Sequence, residues 1–206
     1  MSYIETHLLK NSTIMWISAE RSSIRLDPPY QRSGDVWTLD KKQLLIDSIL
    51  NDYDIPKIYF HSYSRDEKLS TNFTHSVIDG RQRLEAIWGF IDGKFALSLD
   101  FELQKDPAQN LKGLGYQDLA KEFPRIRIQF DSFVLPIVDV ITDDEELIED
   151  MFSRLNEAAT LNAAEKRNAL GGAVVTAIRD ISGHQFFSNK VKFSNKRYQH
   201  LDLPSN

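Results

Sequence analysis

The order of hydrophobic periodicities along the chain narrowly limits its fold. In the first two thirds of the 206 residues, short alternating or apolar stretches are interspersed with stretches of helical spacing, whereas the last third is helical. Mixed strands and helices followed by a helical portion are typical of the α+β class. The sequence therefore predicts an α+β domain over residues 1–140 and a helical extension over residues 141–206.

Individual elements follow from the same patterns. Strands are predicted at residues 23–26, 57–61, 73–78, 95–103 and 133–140. The last of these contains Pro136 and is therefore expected at a sheet edge or a bulge. Helices are predicted at residues 38–51 and 81–91, from about Tyr116, behind the cap sequence of residues 142–145, and behind a second cap at residues 162–165. The polar residues 65–72 are expected to form a loop.

Composition excludes several classes of protein. The chain has no cysteine, which rules out a disulfide scaffold, a thiolate zinc site and a cysteine nucleophile, and which suits a reducing compartment. The first ten residues do not read as a secretory signal, and no apolar run reaches bilayer length. We therefore expect a soluble, cytoplasmic protein without a membrane partner. The formal net charge of −5 argues against a generally basic, nucleic-acid-coating surface.

The most informative local pattern is a predicted strand that ends at Asp79 and Gly80 and leads into a helix. That helix opens with Arg81, Gln82 and Arg83. A helix N-terminus carries unpaired N–H groups and a positive partial charge, so cations in its first turn are unfavourable without an anion. With a phosphate present, amides, dipole and guanidinium groups would bind one ligand. The competing interpretation is an ordinary corner with two solvated arginines. Carboxylate partners for both arginines, with no cavity toward Arg32, would contradict the phosphate interpretation.

Two further segments add candidate residues. Tyr30, Gln31 and Arg32 follow a proline-stiffened stretch, which lowers the entropy lost when side chains are fixed on a ligand. The alternative is a rigid loop with Tyr30 packed on the core. Arg154 and Asn156 lie at the predicted junction of two helices, where a purely structural role is harder to assign. Glu165, in contrast, is expected to cap its own helix.

These three segments resemble the N-terminal domain of GmrSD-type restriction endonucleases. The matching patterns are Y-Q-R, I-D-G-R-Q-R-L and F-x-R-L-N-x(5)-L-N-x-x-E-x-R-N, in order within residues 20–175. The resemblance implies a ParB/sulfiredoxin-like fold, a small mixed sheet with flanking helices. The family's central motif is usually D-G-Q-Q-R, and here Arg81 replaces the first glutamine, which adds charge.

The resemblance also implies a function. It predicts a domain that binds and slowly hydrolyses a nucleoside triphosphate and that regulates a nuclease in bacterial anti-phage or restriction-type defence. Catalytic roles would fall to Asp79, Arg81 and Arg83, with Asp79 also holding Mg²⁺. The residues implied in nucleotide and phosphate binding are Tyr30, Gln31, Arg32, Gly80, Gln82, Arg154 and Asn156.

Two other functions stay open at this level. ParB-like folds also include DNA-binding or DNA-nicking modules, although the acidic chain has no evident basic stripe. A non-catalytic interaction domain is the second alternative. The five histidines are scattered without metal-ligand pairing, and His75 is expected to be a packed or surface residue rather than a catalyst. No nuclease motif occurs before Asn206, so we expect any nuclease in a longer protein or a separate effector subunit. ParB-like domains also make a homodimer an expectation.

Overall fold

The computed structural model describes residues 3–28 and 36–159, with side chains up to residue 155. It contains five strands and seven α-helices within these ranges, together with a 3₁₀ turn at Arg21–Ser23. The strands are β1 (Glu5–Leu8), β2 (Ile24–Arg25), β3 (Ile58–Ser62), β4 (His75–Asp79) and β5 (Ile137–Ile141). The helices are α1 (Ile14–Ala19), α2 (Leu39–Leu50), α3 (Arg65–Thr71), α4 (Arg81–Ile91), α5 (Tyr116–Glu122), α6 (Pro124–Ser132) and α7 (Glu145–Ala159). This mixture confirms the predicted α+β class.

The chain divides into two compact units, Met1–Phe152 and Ser153–Asn206. The first contains the whole sheet and the helices up to the first half of α7. Of the second, the described part is the end of α7. The boundary that the sequence predicts at residue 140 was placed where the pattern becomes helical, and it stays a prediction.

The five strands form one small mixed sheet in the order β1-β5-β3-β4-β2. β1 and β5 are antiparallel, as are β3 and β4, whereas β3 runs parallel to β5 and β2 parallel to β4. A small mixed sheet is what the family resemblance implied. β4 lies one strand from the β2 edge, and its last residue is Asp79.

Helix α4 is fixed to the sheet by its apolar residues. Leu84 and Ile87 are fully buried and belong to the same core as Ile58, Phe60 and Val77 of the sheet. Burial of each such side chain contributes roughly 1.5–3 kcal/mol before entropy is counted. Because six of the eleven α4 residues are buried, the helix start has a fixed position after β4.

The prediction of a loop at residues 65–72 was wrong, because α3 forms there. Ser64 accepts a hydrogen bond from the Glu67 backbone N–H, and the Glu67 carboxylate accepts one from the Ser64 N–H. This reciprocal cap satisfies two N–H groups at the helix start. No residue of α3 is buried, so the helix is stabilised by its cap rather than by an apolar stripe.

The prediction of a strand at residues 95–103 was also wrong, because the backbone there is irregular. Leu97, Phe101 and Leu103 are nevertheless buried in the main core. The Phe101 N–H donates to the Ser98 carbonyl in a turn, and the Leu97 N–H donates to the Leu114 carbonyl of a distant loop, so single hydrogen bonds replace a strand ladder. The alternating apolar residues of this segment are therefore buried in the core without forming a strand.

The proline at residue 136 does not place β5 at an edge or a bulge, as the sequence predicted. β5 lies between β1 and β3, inside the sheet, and begins one residue after Pro136. The Pro136 carbonyl accepts a hydrogen bond from the Ile58 N–H, so the proline contributes its acceptor where it has no donor to offer. The ring fits because it precedes the ladder.

Helix α7 confirms the helix predicted behind residues 142–145. Its first turn is capped by Asp144, whose carboxylate accepts the Glu146 N–H, rather than by Thr142. The second predicted cap, at residues 162–165, lies outside the described residues. None of the helices within residues 3–28 and 36–159 combines the length and apolar character needed to cross a bilayer.

Candidate anion site at the start of helix α4

The turn between β4 and α4, residues 79–83, is called the corner below, and it depends on Gly80. Its φ of 100° lies in the left-handed region, which side-chain-bearing residues rarely adopt. A Cβ built at this position would lie 2.9 Å from Cγ1 of Ile58 and 2.9 Å from Nη1 of Arg83. Glycine also has no side chain to cap the helix, and the N–H groups of Arg83 and Leu84 donate to the Gly80 carbonyl. The corner therefore combines close packing with a helix start that has no side-chain cap.

Arg83 ties the corner together. Its Nη1 lies 3.2 Å from Oδ2 of Asp79 and 3.3 Å from the carbonyl oxygen of Lys57. The side chain is only 16% exposed. Asp79 ends β4 and Lys57 precedes β3, so one guanidinium group links two strands to the first turn of α4.

Arg81 has a different environment. Its Nε donates to Oε1 of Glu85 at 2.9 Å, and each side chain is about one third exposed. In this pair the cation lies nearer the helix N-terminus than the anion, an order that the helix dipole disfavours. Sequence reasoning missed Glu85, although its spacing of four residues from Arg81 on the helix was a readable signal.

These contacts change the electrostatic argument made from the sequence. Both arginines have carboxylate partners, so the fold itself neutralises the two cations and does not require a ligand to do so. That is half of the condition that would contradict a phosphate site, and the other half concerns Arg32, which lies outside the described residues. The contacts use Nε of Arg81 and Nη1 of Arg83, and the other guanidinium nitrogens can donate to further oxygens.

Gln82 connects the corner to another predicted segment. Its side-chain oxygen accepts a hydrogen bond of 3.0 Å from the backbone N–H of Trp37. Trp37 follows residues 29–35, so α4 anchors the chain that leaves the segment containing Tyr30, Gln31 and Arg32. Those three residues lie outside the described part, and their roles in binding stay predictions, as does binding by the Gln82 amide.

The two remaining predicted site residues, Arg154 and Asn156, lie on α7. Arg154 belongs to α7, beyond the boundary of the first compact unit, and its side chain is exposed. Asn156 lies on the same helix, and its side chain is outside the described set. Their approach to the phosphate site stays a prediction.

Asp79 is the candidate ligand for a metal at the corner. No group of three or more His, Asp and Glu residues in the described part of the chain could hold a metal ion. Mg²⁺ in phosphate sites is commonly held by one or two carboxylates, with phosphate oxygens and waters completing its shell. Asp79 is 32% exposed, and its contact with Arg83 uses Oδ2. A single carboxylate of this kind fits that role only together with phosphate.

His75, at the opposite end of β4, is packed. Its Nδ1 lies 2.9 Å from Oγ1 of Thr74, and its Nε2 lies 3.9 Å from Oδ1 of the buried Asp139. Burial lowers the pKa of His75, and the charge of Asp139 opposes this shift. The side chain is 17% exposed, which agrees with a packed residue.

Taken together, the fold and the corner define an α+β domain with an arginine-bearing strand–glycine–helix site. The family model for the N-terminal domain of GmrSD restriction endonucleases matches residues 14–171, well over half of the chain. The protein belongs to this family, and it is accordingly a domain of a restriction or defence system. No curated protein and no solved structure gives a significant match. The ParB/sulfiredoxin-like fold therefore stays an expectation.

Proposed function

We propose that this domain binds a nucleoside triphosphate at the start of α4 and hydrolyses it slowly, as the regulatory part of a bacterial defence system. The observation that carries the proposal is the corner itself. Gly80 opens α4 without a side-chain cap, and Arg81 and Arg83 both lie in the first turn of this helix. Amide N–H groups, the positive helix pole and guanidinium donors are the groups that bind phosphate oxygens.

Phosphate binding would use guanidinium nitrogens of Arg81 and Arg83 other than those in the contacts described above. Nη1 and Nη2 of Arg81 and Nη2 of Arg83 are not part of the contacts to Asp79, Glu85 and Lys57. Arg32, with Tyr30 and Gln31, would join from the segment whose exit Gln82 anchors. Arg154 and Asn156 would complete the site from the helical side, as the family resemblance implies.

Hydrolysis needs little covalent chemistry from the protein, because positioning and charge stabilisation dominate phosphoryl transfer. Asp79 would orient a water molecule and hold Mg²⁺, which would neutralise phosphate charge when bound. Arg81 would add a positive charge beside the transferred group. Asp79 and Glu85 are both engaged by arginines, which leaves the corner without a free carboxylate base. We therefore expect slow, switch-like turnover.

The test is a thermal-shift panel of the four nucleoside triphosphates with Mg²⁺. A ligand that binds only the native state stabilises it by about 2.7 kcal/mol at 100 times its Kd, so at least one triphosphate should raise Tm. Arg83→Ala and Arg81→Ala should each reduce that rise. Arg125→Ala, which removes an exposed arginine of α6, is the matched control and should preserve it.

Arg81→Ala matters because Arg83→Ala also removes a contact that holds the corner together. If no triphosphate raises Tm, or if both variants respond as the unmodified protein does, the proposed site is wrong. A salt-dependent gel shift with DNA in the absence of nucleotide would instead favour the DNA-binding alternative. If a triphosphate does bind, the nucleotide-bound protein should be tested for association with a separate nuclease and with a second copy of the chain.

A further inference from the structure

We infer that a cavity beside the start of β4 binds a small zwitterion, an α-amino acid with an apolar side chain. The cavity has a volume of about 250 Å³ and lies between α1, α3 and the β2 edge of the sheet. Pockets for drug-sized molecules measure roughly 300–1,000 Å³, so this one suits a smaller ligand. Its lining includes His75, the first residue of β4, whereas the corner begins at Asp79, the last residue of that strand. The inference therefore concerns a second site, independent of the proposed nucleotide site.

Part of the cavity lining is apolar and aromatic. Trp16 of α1 is 39% exposed, whereas Ile24 and Phe60 in the same lining are almost fully buried. Apolar ligand groups gain free energy when they leave water for such a surface, and the face of an indole ring also attracts ammonium groups. The lining therefore favours a ligand that combines an apolar group with a positive charge.

Two opposite charges line the same cavity without forming an ion pair with each other. Glu20 follows α1 and is half-buried, and Lys68 of α3 is exposed. The Glu20 carboxylate accepts a hydrogen bond from the Ser23 hydroxyl at Oε2, and the Lys68 ammonium makes no ion pair within the described residues. A ligand with one positive and one negative group can bind both side chains. An α-amino acid carries these two groups on a single carbon.

Asp139 adds negative charge behind the cavity. Its side chain is only 8% exposed, and its Oδ1 makes no hydrogen bond within the described residues. Its ion-pair neighbours there are His7 and His75, which carry charge only when protonated, and burial lowers the pKa of His75. Lys68 and Glu20 also act on His75 through their charges, so both lie near this ring. The inner end of the cavity is therefore negative and the outer end, at Lys68, positive, which orients a bound amino acid with its ammonium group inward.

The experiment is calorimetric titration of the full chain with L-leucine and L-phenylalanine, each compared with its N-acetyl and amide derivatives. The N-acetyl derivative keeps only the carboxylate, and the amide keeps only the ammonium group. At least one amino acid should bind, and each of its derivatives should bind about tenfold more weakly, because a charge-assisted hydrogen bond is lost. Binding should also change the fluorescence of Trp16. Trp16→Phe should abolish that change while the calorimetric signal persists, because Trp37 and Trp88 do not line the cavity.

Matched variants test the two charges separately. Glu20→Gln keeps an acceptor for Ser23 and should weaken amino-acid binding by about tenfold. Lys68→Gln, at an exposed position, should weaken it by about threefold. Lys68→Gln should not weaken binding of the amide derivative, because that ligand has no carboxylate to pair with Lys68.

Control variants make the same changes in charge elsewhere. Glu122→Gln and Lys121→Gln alter exposed residues of α5 outside the cavity lining and should leave the affinity unchanged, as should Arg81→Ala at the corner. If neither amino acid binds, or if Glu20→Gln and Lys68→Gln bind them as the unmodified protein does, the inference is overturned. The triphosphate panel tests the nucleotide proposal independently, so the two can fail separately.

Discussion

The two ends of helix α4 both carry arginine–carboxylate contacts, but their electrostatics differ. At the C-terminal end, Nη1 of Arg21 lies 3.0 Å from both oxygens of Asp92, and Lys94 adds a second cation at 3.2 Å. The Arg21 guanidinium also lies over the Trp88 ring, 5.5 Å from its centroid. Two cations and one anion at the negative pole are a favourable arrangement without any ligand.

At the N-terminal end, two cations and two anions lie at the positive pole, where a net negative charge would be favoured. Arg81 is paired in the unfavourable order, and Gly80 provides no side-chain cap. The C-terminal end of α4 is thus electrostatically favourable within the fold, whereas we expect an added anion to stabilise the N-terminal end. Arginine–carboxylate pairs alone therefore do not distinguish a structural cluster from a binding site.

The largest expected contrast between the two ends concerns their glycines. Gly80→Ala adds a Cβ that meets Ile58 at 2.9 Å as well as an unfavourable φ, so we expect a loss of about 3 kcal/mol in the free energy of unfolding. Gly93 also has a positive φ, of 71°, but an added Cβ there meets nothing within 4 Å. Gly93→Ala should therefore cost only about 1 kcal/mol. Urea denaturation measures both. Equal losses would show that the close approach of Ile58 is not the limiting factor.

A smaller contrast separates stability from ligand response. Arg21→Ala removes a partly exposed ion pair and a cation–π contact, and should lower the free energy of unfolding by about 1 kcal/mol. It should not change the rise in Tm that a triphosphate produces, because the residue lies at the distant end of α4. Arg81→Ala should do the reverse, with little loss of stability and a reduced ligand response. A reduced response in Arg21→Ala would mean that the two ends are coupled.

The smallest expected effect is a pH dependence at the C-terminal end. The hydrogen bond from Arg21, with help from Lys94, lowers the pKa of Asp92 below its ordinary value. A carboxyl whose pKa is lowered by folding stabilises the protein above its unfolded pKa, about 3.9, and this contribution is lost as pH falls through the folded pKa. Asp92→Asn should therefore reduce Tm at pH 6, and the difference from the unmodified protein should shrink as pH falls below the unfolded pKa and through the folded one. A constant difference across this range would contradict the assignment.

The sequence predicted the longer elements that bury a regular apolar stripe, such as α2 and α4, and missed two elements that have no buried residue. The short helices α1 and α6 were also missed, although Ile14, Ile17 and Phe130 are buried. Helix α3 has no buried residue, so apolar periodicity could not find it, whereas the spacing of Ser64 and Glu67 was the readable signal. β1, whose four residues are all exposed, has no alternation to detect and was not predicted. Pro136 led to a wrong prediction for the position of β5. A proline favours a sheet edge or a bulge when it lies inside a strand, whereas Pro136 lies just before β5.

For the site, local sequence located the corner but could not determine its contacts. The need for glycine at position 80 followed from the strand–turn–helix pattern, and the structure confirms its left-handed conformation. The carbonyl of Lys57 and the amide of Trp37 reach the corner from 26 and 45 residues away, and no local pattern encodes such contacts. They depend on the order of strands in the sheet.

The hydrogen bond between Gln82 and Trp37 has a consequence for how the molecule assembles. During synthesis Trp37 is made long before Gln82, and the β2 residue Ile24 long before its partner His75. Closing loops of this length costs chain entropy, and only the completed contacts offset that cost in free energy. Pairings between such distant residues therefore slow folding. We therefore expect the corner to form late and together with β2, β3 and β4. A nascent chain that ends before α4 has no partial version of it.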